Sequence, residues 1–200
     1  MSRHMSITMT KRIDFYFDFI SPYSYLAATR ISSFAEKHTV EINWLPLNLP
    51  RLMNLSGNVS PATIKNKAIY SLRDLKRWAS HLDVPFKMIR PGTFDSRPVL
   101  RIAGALHGND RTTFSLAVFE SIWSGAIDPT EPDWLEQLVS LKGLPAEWLQ
   151  HQNEDFEANT HAALKAGAFG VPSFVLKKEG GRPELFFGVD HMDFLSRACD

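Results

Sequence analysis

The segment at residues 13–19 constrains the fold of this chain more than any other. Isoleucine and then phenylalanine recur at every second position, which is the period of a β-strand with one apolar face. Ser21 and Pro22 follow at once, and a serine followed by a proline is a common start of an α-helix. Apolar residues continue at helical spacing to Ala35. A second strand expected at residues 40–47 completes a strand–helix–strand opening, which is typical of α/β proteins.

The middle of the chain has the apolar spacing of helices, and strand patterns return near its end. Residues 46–61 are rich in proline and asparagine and are expected to form a long irregular connection. The pattern predicts helices at residues 64–82, 97–107, 112–123, 131–141, 155–166 and 191–198. It predicts a hairpin of two strands at residues 173–176 and 184–187, joined through Gly180 and Gly181.

The predicted fold class is therefore α/β, with a thioredoxin-like β-α-β…β-β-α domain that carries a large all-helical insertion. We assign residues 12–60 and 170–200 to the thioredoxin-like domain and residues 61–169 to the insertion. Residues 1–11 are expected to be a disordered leader; they lack the apolar stretch of a secretory signal, so a signal is not predicted.

Composition excludes several classes of function. The chain of 200 residues carries 22 basic and 22 acidic side chains, so neither a nucleic acid nor an anionic membrane is expected as its partner. The sequence contains no run of 18 apolar residues, so it predicts no membrane span. The single cysteine and the spacing of the histidines predict no metal site. A chain without disulfides fits a reducing compartment, and we expect the cytoplasm.

Ser21 is the first candidate for chemistry. A helix start presents free N–H groups and a partial positive charge, which favour an anion such as a thiolate. Thioredoxin-like redox proteins place Cys-x-x-Cys there, whereas this chain has Ser21 and Ser24. A serine cannot exchange disulfides, but its hydroxyl can donate to a bound sulfur anion, so the reactive thiol would have to come from a ligand. Alternatively, Ser21 only caps the helix.

Two later segments would meet Ser21 in this fold. Thioredoxin-like folds place a cis proline before the third strand, which here would be Pro172 after Val171. The backbone of Val171 could then pair with a peptide ligand as an added strand; the alternative is an ordinary loop proline. Asp190 could pair with a ligand ammonium group or could simply cap the last helix.

The remaining polar and aromatic candidates are interpreted as structural. Asp14 and Asp18 share the face of the first strand that points away from the apolar one, and Cys199 is expected to be inert. Four aromatic residues of the predicted insertion are expected in the core rather than in an aromatic-substrate pocket: Trp78, Phe114, Phe119 and Trp123.

Several of these segments together resemble the 2-hydroxychromene-2-carboxylate isomerase family, whose members are related to kappa-class glutathione transferases and have a DsbA-like fold. Residues 18–27, with the sequence DFISPYSYLA, resemble the family's opening. Asn58 follows a Ser-Gly pair, and Lys67 lies nine residues further on, as in the family. Gly170-Val171-Pro172 and the run from Phe187 to Asp190 complete a resemblance that spans residues 13–198.

The resemblance implies a glutathione site. Ser21 would support the glutathione thiolate, and Val171, ahead of a cis Pro172, would bind the cysteine of the tripeptide through its backbone. Asp190 would take the γ-glutamyl ammonium group. Asn58 and Lys67 would hold the tripeptide from the insertion side. Without the resemblance, Asn58 is interpreted as a turn residue and Lys67 as a lysine on a solvated helix face.

The implied activity is the redox-neutral interconversion of 2-hydroxychromene-2-carboxylate and trans-o-hydroxybenzylidenepyruvate in aromatic hydrocarbon catabolism, as in naphthalene degradation. Reversible thiolate addition would turn a double bond into a rotatable single bond. The resemblance also implies a small aromatic carboxylate as substrate and a homodimer. The alternatives are a kappa-like transferase, which conjugates glutathione to electrophiles, and a non-catalytic DsbA-like protein that binds thiols or peptides.

Two departures from the family pattern concern the substrate. Val189 and His191 flank Asp190 where the family usually has a polar residue and an arginine. Residues 94–97, with the sequence FDSR, replace the Phe-Pro-x-Asn that is frequent in kappa-like sequences. Arg97 could therefore recruit a substrate carboxylate, or it could be a solvated arginine.

Overall fold

A four-stranded mixed sheet organises the molecule, whose residues 11–200 are described by a computed structural model. The strands are β1 (Arg12–Phe17), β2 (Glu41–Pro46), β3 (Ser173–Lys177) and β4 (Glu184–Phe187), in the order β2-β1-β3-β4. β1 is parallel to β2 and antiparallel to β3, and β3 and β4 form the expected hairpin. These strands and their connections confirm the predicted fold class.

Eight α-helices lie within residues 11–200. They are α1 (Pro22–His38), α2 (Leu49–Ser56), α3 (Lys65–His81), α4 (Arg97–Ala105), α5 (Gly108–Ser124), α6 (Trp134–Lys142), α7 (Asp155–Lys165) and α8 (Met192–Cys199). The predicted helices are confirmed; the largest boundary shifts are at the starts of α5 and α6. No helix within this part of the chain is long and apolar enough to cross a membrane.

The prediction of an irregular connection at residues 46–61 was wrong, because α2 occupies its centre. Asn48 caps α2, with its side chain accepting a hydrogen bond from the Arg51 N–H, and Pro50 lies in the first turn. Gly57 ends the helix in the left-handed conformation, at φ 71°. The residues that suggested a loop are thus the start and stop signals of a two-turn helix.

Both faces of the sheet are buried. On one face, Ile13, Phe15 and Phe17 belong to a large apolar cluster with α1, α4 and α5. On the other, Tyr16 packs in a smaller cluster with residues of α2 and α7, including Ala163. Burying each such phenylalanine contributes about 1.5–3 kcal/mol. Three of the four aromatic residues expected in the core are buried there, and Trp78 is half-buried against it.

Specific hydrogen bonds attach the helical segment between β2 and β3 to α1, to the link before it and to the end of β2. The indole N–H of Trp123 in α5 donates to the Phe19 carbonyl at 3.0 Å, and the Tyr25 hydroxyl in α1 donates to the Pro85 carbonyl at 2.7 Å. Asn159 in α7 donates to the carbonyl of Pro46 at the end of β2. The division at residues 60 and 170 stays a prediction. The expected leader falls almost wholly on residues 1–10, which lie outside the described part of the chain.

Candidate active site

Ser21 lies at the start of α1, directly above the carboxyl end of β1. Its backbone is extended, and its Oγ accepts a hydrogen bond from the Ser24 N–H at 3.1 Å, so the capping role is present. The same hydroxyl donates to the Val171 carbonyl at 3.4 Å, which is a long and therefore weak bond. A hydroxyl held by such a bond can turn its proton to a stronger acceptor, such as a thiolate, without leaving the helix start.

Val171 and Pro172 come together with Ser21 although 150 residues separate Val171 from it. The peptide bond between Val171 and Pro172 is cis, as the fold predicted. Val171 is 7% exposed, and its N–H donates to no other residue of the described chain. The Gly188 N–H donates to the Pro172 carbonyl at 3.0 Å, which ties this loop to the end of β4.

Asn58 reaches the same loop from the end of α2. Its side-chain amide donates to the Phe169 carbonyl at 2.8 Å. At Gly170, a Cβ atom would lie 3.0 Å from Cε2 of Phe187 and 3.8 Å from the Asn58 amide nitrogen, so glycine permits this close approach. Sequence reasoning placed Asn58 at a turn; the structure adds that the turn packs on the loop before Pro172.

Lys67 and Asp190 are not joined to this cluster. Lys67 is exposed on the first turn of α3, and among residues 11–200 neither its ammonium group nor the Asp190 carboxylate forms a hydrogen bond with Ser21 or Val171. The interpretation of Asp190 as a helix cap was wrong. A 3₁₀ turn at Val189–His191 delays the start of α8, so the carboxylate lies instead beside the His191 ring, 3.4 Å from Nδ1.

Asp18 was interpreted as structural, but sequence reasoning did not foresee that it is fully buried beside the candidate site. Its side chain is fully buried beside β1 and α2, where it accepts hydrogen bonds from the Leu49 N–H at 2.8 Å and the Ile20 N–H at 3.2 Å. Burial raises the pKa of Asp18 to about 6, although these hydrogen bonds pull the pKa down. Asp18 thereby fixes the short link that carries Ser21.

Asp14 and Asp18 do lie on the opposite side from Ile13, Phe15 and Phe17, as expected, but helices cover that side as well. Asp14 is 2% exposed and is surrounded by Arg12, Lys177 and the Asn43 side-chain amide. Its role is structural, as expected. The strand–helix–strand pattern could have predicted this burial, because a strand that is joined to a parallel neighbour through a helix is covered on both sides.

The surroundings of Cys199 do not favour a reactive thiol. Cys199 is buried in α8, and burial raises the pKa of its thiol. The carbonyl of Cys199 accepts a hydrogen bond from Lys11. Across residues 11–200, no group of three or more histidine, cysteine, aspartate or glutamate side chains is placed to hold a metal ion.

Comparison with known proteins agrees with this geometry. A family model described as a DSBA-like thioredoxin domain matches residues 12–200. The 2-hydroxychromene-2-carboxylate isomerase of Sphingobium xenophagum is 32% identical over 197 residues, covering 94% of this chain and 97% of the relative. Human glutathione S-transferase kappa 1 is 25% identical, with 94% of this chain and 90% of the relative covered. A solved 2-hydroxychromene-2-carboxylate isomerase superposes with a TM-score of 0.78 at 29% identity, covering 94% and 93% of the two chains.

Proposed function

The chain belongs to the 2-hydroxychromene-2-carboxylate isomerase family of DSBA-like thioredoxin domains, and we propose that it interconverts 2-hydroxychromene-2-carboxylate and trans-o-hydroxybenzylidenepyruvate with glutathione as cofactor. One observation carries the proposal. A serine hydroxyl occupies the start of α1 against the carbonyl that precedes a cis proline, while the only cysteine of the chain is buried in α8. The site is built for a thiol that the chain itself does not provide.

The described residues fit glutathione. The N–H of Val171 is an unused backbone donor beside Ser21, as pairing with a peptide ligand requires. Glutathione carries two carboxylates and one ammonium group, and the exposed Lys67 and Asp190 offer one charge of each sign. Asn58, on the loop before Pro172, is the remaining proposed contact.

Bound glutathione would supply the thiol whose anion adds reversibly to the substrate. The Ser21 hydroxyl donates to that sulfur anion, and the first turn of α1 adds the positive end of its dipole, with no acidic residue there to cancel it. Both effects lower the thiol pKa, and each pKa unit corresponds to about 1.4 kcal/mol. The Ser21 proton stays on oxygen throughout, so the residue needs no general base.

The first test is calorimetric titration of the protein with reduced glutathione, together with the ultraviolet absorbance of the thiolate. The wild type is expected to bind in the micromolar-to-millimolar range and to show thiolate, and Ser21→Ala is expected to lose the thiolate signal. Ser115→Ala is the matched control, because Ser115 lies in α5 and its buried hydroxyl makes no hydrogen bond within residues 11–200. Failure of the wild type to bind millimolar glutathione would contradict the proposal.

A kappa-like glutathione transferase is the second candidate, which the similarity to human glutathione S-transferase kappa 1 favours. The two activities use one site and differ in whether the thiol is released. Assays with the aromatic substrate at glutathione well below stoichiometric amounts distinguish them. Full turnover identifies the isomerase, and consumption of one glutathione per product identifies the transferase. Binding of glutathione without either reaction would leave the non-catalytic alternative.

We further propose that the protein is a homodimer in the cytoplasm. Four large apolar side chains are exposed on and before α3, namely Val59, Ile64, Ile69 and Tyr70, with Tyr70 62% exposed. Exposed apolar side chains concentrated in one segment are a suitable contact for a second copy. The cytoplasm keeps glutathione reduced, as the proposed chemistry needs. Sedimentation equilibrium of the wild type and of Tyr70→Glu is expected to show a dimer and its weakening; a wild-type monomer would contradict the dimer.

A further inference from the structure

A cavity of about 660 Å³ opens between α2, α7 and the first turn of α4. Ile20, the residue before Ser21, forms part of its wall, so the cavity borders the start of α1. Pro50, Phe94 and Phe156 supply further apolar surface. A volume of this size is ordinary for a pocket that takes a small molecule.

Arg97 and Arg101 line the cavity on one face of α4, four residues apart. Arg97 forms a bidentate pair with Asp95: its Nε donates to Oδ1 at 2.9 Å and its Nη2 donates to Oδ2 at 2.7 Å. Arg101 uses only Nε, at 2.5 Å from Glu154. A guanidinium has five N–H donors, so within residues 11–200 both arginines retain donors that no protein acceptor uses. The acidic partners hold the arginines in place, which lowers the entropy cost of binding.

The charges of the cavity lining cancel. Three basic and three acidic residues contribute to it: Arg51, Arg97, Arg101, Asp95, Glu154 and Glu157. Net charge therefore does not attract an anion from a distance. A ligand must instead offer an acceptor for the remaining N–H groups together with an apolar body for the opposite wall, and an aromatic carboxylate has both.

We infer that Arg97 and Arg101 bind the carboxylate of the second substrate while its ring packs near Ile20 and Phe94. This inference rests on the proposed function and deepens it, because it names the residues that would recognise the carboxylate of the substrate. Neutral electrophiles of the same shape would lack the partner that these arginines require.

Steady-state kinetics with 2-hydroxychromene-2-carboxylate provide the first test. Arg97→Gln and Arg101→Gln are each expected to raise the KM for this substrate about 10- to 100-fold, the usual effect of losing a charge-assisted hydrogen bond, and to leave the KM for glutathione unchanged. Arg182→Gln, an exposed arginine between β3 and β4, is the matched control and should leave both values unchanged. A raised KM for glutathione alone would assign the arginines to glutathione and overturn the inference.

Binding of cinnamate and of its neutral amide, measured by calorimetry, tests the site without any turnover. Cinnamate is expected to bind the wild type and to bind Arg97→Gln at least about tenfold more weakly, whereas cinnamamide binds both equally weakly. If the wild type lacks isomerase activity but shows this pattern, the proposed function fails and the carboxylate site stands. If the enzyme is active and neither arginine affects cinnamate, the carboxylate site fails.

Discussion

Asp18 occupies the point where the link to Ser21 meets α2, and its carboxylate accepts hydrogen bonds from the Ile20 and Leu49 N–H groups. Removing the carboxylate would leave these two buried donors without their acceptor, which costs about 1–3 kcal/mol. Asp18→Ala is therefore expected to destabilise the protein by that amount. Chemical denaturation measures the loss, and an unchanged midpoint would contradict the role given to Asp18.

The protonation of Asp18 should make the free energy of unfolding depend on pH. Since burial raises the folded-state pKa from 3.8 to about 6, the folded protein binds one more proton than the unfolded chain between these values. The contribution of Asp18 to the free energy of unfolding therefore falls as pH rises from about 4 to about 6, by about 3 kcal/mol in all, and is constant above.

Asp18→Asn should remove this part of the pH dependence, because the amide does not titrate. Urea unfolding at several pH values measures it, with Asp110→Asn, an exposed carboxylate on α5, as the control that keeps the wild-type slope. Equal slopes for wild type and Asp18→Asn would show that Asp18 does not titrate in this range.

At the scale of elements, the turn after β4 depends on Gly188, whose φ of 96° and ψ of 153° are accessible essentially only to glycine. A Cβ there would also come 2.3 Å from Oδ1 of Asp190. Gly188→Ala is expected to destabilise the protein by about 1–3 kcal/mol and to raise the KM for glutathione by displacing Asp190. Gly180→Ala, at φ 70° with open space around it, is the control that strains a turn but leaves glutathione binding intact.

The sequence predicted those elements whose apolar residues or end residues fit a single type of secondary structure. It did not predict elements whose residues fit both a loop and a helix. The phenylalanines of β1 and the Ser21-Pro22 start of α1 each pointed to one structure. Asn48 and Gly57 fit a loop as well as the ends of a helix, and only packing of α2 on α7 decides between them. The burial of Asp18 depends on its contact with Leu49, 31 residues away, which no local pattern reports.

One part of the candidate site could likewise be predicted from the sequence, and another part could not. The serine, the cis proline and the missing cysteine pair were accessible from residues 21, 171 and 172, because the fold brings those positions together in any protein of this topology. The cavity could not be predicted from the sequence, because its wall combines α4 and α7 with α2, a helix that was not expected. Arg97 was noted as a departure from a motif, and its partnership with Asp95 and Arg101 required the structure.

At the scale of the whole molecule, one apolar cluster joins the sheet to the helical segment, so we expect a single unfolding transition. The indole N–H of Trp123 donates to the Phe19 carbonyl, two residues before Ser21. Trp123→Phe leaves that carbonyl without its donor and is expected to cost about 1–3 kcal/mol while the transition stays single. Scanning calorimetry measures both, and two separate transitions would show that the helical segment folds on its own.

The burial of Cys199 also bears on how the protein would withstand oxidative stress. Peroxides and oxidised thiols attack accessible, ionised sulfur first, and the single cysteine of this chain is 2% exposed with its thiol pKa raised by burial. Proteins with surface cysteines would acquire mixed disulfides under such conditions and need enzymes to remove them. The sulfur of this protein is expected to stay unmodified through the same episode, so the proposed glutathione-dependent activity would return once reduced glutathione is available again.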